Sequence, residues 1–132
     1  MEAILSPASS SQSTAIESVL RNLQSVGIMI PDADEVRNYL LDHPSLVDPA
    51  SKIGLHAVSQ FTTATELALE VYHDLEIDDT HLALYVRQQV YPDDFMTTLD
   101  SLWQPWEDQL SAASGFFVVT TDFRPPRWQN GV

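Results

Sequence analysis

Apolar residues change their spacing twice along this chain, and each change marks a different kind of element. In the first half they recur at intervals of three and four. Ile16, Val19, Leu20 and Leu23 follow the i, i+3, i+4, i+7 rule of one helix face. Thr14 and Glu17 have the capping-box spacing, which predicts a helix start at Thr14, and Gly27 is a natural terminator. A second helix is predicted from Asp32 as N-cap and Glu35 at N3, with Val36, Tyr39 and Leu40 on its stripe. It should stop at His43-Pro44, because the residue before proline is driven out of the α region. A third helix is expected to begin with Asp48 as N-cap and Pro49 at N1. Its stripe is Ile53, Ala57 and Phe61, with Val58 beside it and Gly54 inside it.

The period then drops to two. Leu67, Leu69 and Val71 alternate with Glu66, Ala68, Glu70 and Tyr72; beyond an acidic turn, Leu82, Leu84 and Val86 alternate with His81, Ala83, Tyr85 and Arg87. Two adjacent half-buried strands predict a hairpin. The apolar triplets must share a face, so Val71 should oppose Leu82, Leu69 Leu84 and Leu67 Val86. That register places Glu66 across from Arg87, Ala68 from Tyr85 and Tyr72 from His81. The opposite charges of Glu66 and Arg87 favour it over a slip of two residues.

The helical period returns over 92–112, with Phe95, Leu99, Leu102, Trp103, Trp106 and Leu110 on one stripe. Pro92 suits N1, and Pro105 predicts a kink or break near residue 102. After Gly115, the run Phe116-Phe117-Val118-Val119-Thr120-Thr121-Asp122-Phe123 reads as a covered strand. The expectation is an α+β fold: N-terminal helices, an antiparallel hairpin, a kinked amphipathic helix and a third strand. The three-stranded sheet would be covered mainly on one face, in the order 2-1-3, with the third strand antiparallel to the first. Residues 14–123 would form the single domain, flanked by a flexible Ser-rich tail over 1–13 and an Arg/Pro tail over 124–132.

Composition narrows the function. The 132 residues include 6 Lys+Arg, 19 Asp+Glu and no cysteine, for a net charge of −13. Without cysteine there is no disulfide, thiol nucleophile or Cys-ligated metal. The acidity argues against binding phosphate backbones or anionic lipid. The first residues have neither a basic n-region nor an apolar h-region, and no window approaches a membrane span, so cytoplasm is the expected location.

Catalytic signatures are missing. Gly27, Gly54, Gly115 and Gly131 are scattered rather than clustered as a phosphate loop needs. Lys52 is the single lysine, and no serine-hydrolase elbow or zinc-protease motif occurs. The turn His73-Asp74-Leu75-Glu76-Ile77-Asp78-Asp79-Thr80-His81 resembles a calcium loop only at its first carboxylates. It has Asp79 where the loop needs glycine and Tyr85 where it needs the bidentate glutamate. A zinc site on His73 and His81 would require residues on opposite hairpin faces to converge. A solvated acidic tip is the plainer reading. His43 and His56 read as surface histidines. No catalytic residue, metal or cofactor is expected.

The expected function is a small, acidic, non-catalytic interaction module, such as a regulatory or neutralising (antitoxin- or immunity-like) partner of a basic protein. Residues 63–132 hold 12 acids against 3 bases, −9 of the −13, and so the strand-rich half should receive the partner. The candidate surface comprises Glu66, Glu70, Tyr72, His81, Tyr85 and Arg87, opposite the leucines, where uncovered aromatics would mark a binding site. Arg124, Arg127 and Trp128 join it as an extended tail that docks a partner groove or folds back on the acidic surface. Two alternatives remain: a structural or assembly subunit that forms a homodimer through an exposed edge of the second hairpin strand and the Tyr72/Tyr85 face, and a small His/carboxylate enzyme assisted by a metal.

Overall fold

The structure, a computed structural model, describes residues 7–61, 64–74, 76–77 and 79–126, with side chains from residue 12 onward. Among the described residues, five α-helices and four strands follow one another as α1 (Pro7–Ser25), β1 (Ile28–Met29), α2 (Ala33–Asp42), α3 (Val47–Gln60), β2 (Glu66–Asp74), β3 (Asp79–Arg87), α4 (Phe95–Trp103), α5 (Glu107–Ala112) and β4 (Phe117–Thr120). The fold is α+β, as expected. The hairpin register is the expected one residue for residue, from Glu66 opposite Arg87 to Tyr72 opposite His81.

The helix boundaries differ from the expected ones for local reasons. α1 starts at Pro7 rather than Thr14. Once Ile16, Leu20 and Leu23 are packed, extending the helix backward through the serines needs no new nucleus. α2 has its Asp32 cap, whose carboxylate accepts from the Glu35 N–H at 3.1 Å, and it ends at His43. A 3-10 turn over Pro44–Leu46 leads into α3, so Asp48 lies in the first turn of that helix and is not its N-cap. Gly54 is explained by packing: a Cβ there would meet Leu23 Cδ2 at 3.0 Å and Ile28 Cδ1 at 3.2 Å. The predicted long helix starts at Phe95 instead of Pro92 and is broken by a 3-10 turn at Gln104–Trp106, where Pro105 removes a ladder donor.

The sheet corrects the expected topology. It has four strands in the order β1-β2-β3-β4. β4 lies beside β3 and parallel to it, not antiparallel beside β2. The intervening α4–α5 segment supplies the long crossover that a parallel neighbour requires. The place beside β2 is taken by β1, two residues long, which pairs Ile28 with Leu67 and Met29 with Ala68 in parallel. So short a strand leaves no periodicity to read. The second hairpin strand is therefore interior and does not offer the edge expected of it.

The described helices gather on one face of this sheet. Leu67, Leu69, Leu82, Leu84, Val86, Phe117 and Val119 form a single core with Ile16, Leu20, Leu23, Val36, Leu40, Ile53, Leu99 and Leu102. Tyr39 of α2 pins the helical layer to the sheet: its hydroxyl accepts from the Phe116 N–H at 2.9 Å and lies 3.4 Å from the Thr80 and Phe116 carbonyls. Arg37 joins Glu17 of α1 to Asp34 of its own helix. None of the helices among the described residues is long and apolar enough to cross a membrane.

Candidate interaction face

The face of the sheet opposite the helices carries the other half of each alternation. β2 contributes Glu66, Ala68, Glu70 and Tyr72; β3 contributes His81, Ala83, Tyr85 and Arg87; β4 contributes Val118 and Thr120. Pairing fixes their neighbours. Tyr72 and His81, directly opposed, stack with ring centroids 5.0 Å apart and planes at 28°. Tyr72 is 41% exposed. Tyr72, His81, Tyr85, Thr120 and Asp122 border a shallow groove that runs along β3 and β4.

Arg87 organises the other end of the face. Its Nη1–H donates to Glu66 Oε2 at 2.7 Å, and its Nε–H and Nη2–H donate to Asp122 at 3.1 and 2.9 Å. Glu70 Oε2 stands 3.6 Å from Nη2, and the guanidinium lies 4.9 Å from the Tyr85 ring centroid. Burial works against this cation, but the hydrogen bonds it donates to Asp122 and Glu66 outweigh it and raise the Arg87 pKa further. Burial alone would push the Asp122 carboxyl up; bonds from Arg87 and from the Arg124 N–H hold it below the usual carboxylate range. The Tyr85 phenol is pushed up by burial first and then by the charges of Glu70 and Asp122.

This geometry redistributes the residues expected to touch a partner. Glu66 and Arg87 are only 2% and 6% exposed, so they cannot serve as contact surface. They are a buried ion pair that holds the face from beneath. Tyr72, His81, Tyr85 and Glu70 do share one continuous surface. Arg124 is exposed, but its backbone is tied down: its carbonyl accepts from Tyr91 Oη–H at 2.6 Å and its N–H donates to Asp122 at 3.1 Å. Arg127 and Trp128 lie outside the described residues. Asp122, near the end of the expected third strand, is the second anchor of Arg87. Its signal, an acid following the last β-branched pair, is too common to single out.

The remaining titratable residues have separate employments. His73 faces the helical side, where Nε2 meets Glu35 of α2 and Nδ1 lies 3.3 Å from Thr80 Oγ1. His81, on the opposite face, pairs with Asp79 at 3.1 Å. The hairpin thus separates the two histidines that a zinc site would need together. His43 and His56, read as surface histidines, both have partners: His43 Nδ1 is 2.9 Å from Ser114 Oγ, and His56 packs edge-on to Trp106 with Nδ1 3.4 Å from the Leu102 carbonyl. The chain matches no protein-family model, no curated protein and no solved structure.

Proposed function

We propose that this chain is a small, acidic, non-catalytic interaction module that receives a basic protein on the open face of its sheet. The observation that carries the reading is the stack of exposed Tyr72 on half-buried His81, set among half-buried Glu70, Tyr85 and Asp122 on the face opposite the helical layer. Aromatic side chains offer large contact area at small entropic cost, and tyrosine is enriched among residues that dominate binding energy. The surrounding carboxylates, in a chain of net charge −13, would steer and orient a cationic surface. The Arg87 cluster underneath makes the face preorganised, which limits the entropy lost on docking. A regulatory or neutralising role toward a basic protein in the cytoplasm fits this design.

The test is parallel affinity capture with the native chain and the Tyr72→Ala variant, read by mass spectrometry at low salt and at about 0.5 M, where screening shortens to a few Å. The reading requires an identified basic protein that the native chain retains at low salt, that the higher salt releases, and that the variant fails to retain. Identical capture by both chains would remove this face as the binding surface.

A further inference from the structure

Among the described residues, the β4 edge of the sheet pairs with no further strand and lies beside an apolar groove. The Leu82 N–H donates to the Phe116 carbonyl at 2.9 Å, and Leu82 and Leu84 stand opposite Phe117 and Val119. In a parallel ladder of that register, Phe116, Val118 and Thr120 turn their N–H and C=O groups toward β3. Phe117 and Val119 therefore turn theirs outward, and β4 is the last strand among the described residues. Sheet edges are ordinarily blunted by charge, proline or a bulge. The stretch Phe116-Phe117-Val118-Val119-Thr120-Thr121 carries no charge and no proline. Two phenylalanines flank the strand in solvent, Phe116 at 67% and Phe123 at 60% exposure. Along the helical side of the same edge runs a groove of about 360 Å³ between β4 and Trp103, Glu107, Leu110 and Ser111, in which Glu107 is the one charged residue.

We propose that the β4 edge takes an extended segment of a partner protein as an added strand, and that this segment alternates apolar with basic residues. The outward N–H and C=O groups of Phe117 and Val119 supply the main-chain bonds. A strand laid there points alternate side chains to opposite faces. One set enters the groove against Trp103 and Leu110 and must be apolar. The other set lies on the side of Asp122, where a carboxylate favours basic side chains. Charge selects this occupant over a second copy of the chain, because two bodies of −13 repel as they approach. The site shares Asp122 with the Tyr72–His81 face, but its main-chain groups and apolar groove lie on the β4 edge, and it does not depend on the function proposed above.

The experiment uses the full chain and an acetylated, amidated peptide that alternates valine with arginine. Its control is the same peptide N-methylated at alternate residues, which keeps the charge but cannot complete a ladder. Amide exchange by NMR reads the site. Peptide binding should newly protect the N–H groups of Phe117 and Val119, while those of Val118 and Thr120 are protected already. N-methylation should weaken binding about tenfold or more, since several hydrogen bonds are lost together. Ser111→Trp, a change at an exposed position, should block the groove without disturbing the fold. Binding that survives N-methylation, or that perturbs the Tyr72–His81 face instead, overturns the proposal. So does protection of Phe117 and Val119 without peptide: if it grows with protein concentration the edge belongs to a second copy, and if it does not, to the chain itself.

Discussion

Arg87 and Asp122 meet through paired N–H···O contacts of 3.1 and 2.9 Å, which tie the end of the hairpin to the segment leaving β4. The same guanidinium closes on Glu66 in the sheet interior. One side chain thus joins the first residue of β2, the last residue of β3 and the exit from β4.

Replacing Arg87 by methionine should destabilise the protein strongly, by about 3–5 kcal/mol, because it takes the cation away from the buried Glu66 carboxylate. Adding Glu66→Gln should recover part of that loss, since the buried negative charge goes with it. Chemical denaturation of the single and double variants checks both expectations.

Asp122 should make a signed contribution to acid stability. Its carboxyl is held below the ordinary value of 3.8, so the stability it contributes is present above that pH and is lost as pH falls toward the lowered folded value. Asp122→Asn should be less stable at neutral pH and lose less stability on acidification through about pH 4. Urea unfolding across that range reads the difference in slope.

Tyr39→Phe should cost about 1–2 kcal/mol, because the Phe116 N–H loses its acceptor while the ring remains in the core. Amide exchange at Phe116 should rise well above that at Val118, whose bond to Leu82 is untouched. Equal exchange at both positions would mean that water replaces the hydroxyl without loss.

Gly115→Ala should be destabilising by about 1–3 kcal/mol for two reasons. The residue has φ +75°, a conformation that an L side chain adopts only at a cost. Its Cβ would also stand 2.7 Å from His43 Cγ. His43→Ala should relieve the second part only, so the two substitutions should combine to less than their sum. Thermal melts of the double-mutant cycle measure that coupling.

What could be read from the chain alone was whatever rests on local pattern. Leucines at every second position fixed the hairpin and its register, because slipping by one residue would expose every one of them. Asp32 and the His43-Pro44 pair bounded α2 through groups within one turn of each other, and Pro105 marked the break between α4 and α5 through its missing N–H. The open face was legible in the same way, as the polar half of the alternation that brings Tyr72 to His81. Tertiary structure decided what depends on residues far apart in sequence. β1 exists only because β2 is there to pair it, and its two residues carry no period of their own. The place of β4 beside β3 follows from how the α4–α5 crossover packs, which spacing does not encode. Glu66 and Arg87 looked like a solvent-exposed cross-strand pair until Asp122 arrived from beyond β4 and made them an anchored cluster. Pattern specifies which face of an element is apolar; only the assembled layers specify which polar residues that assembly buries and which edges it leaves free.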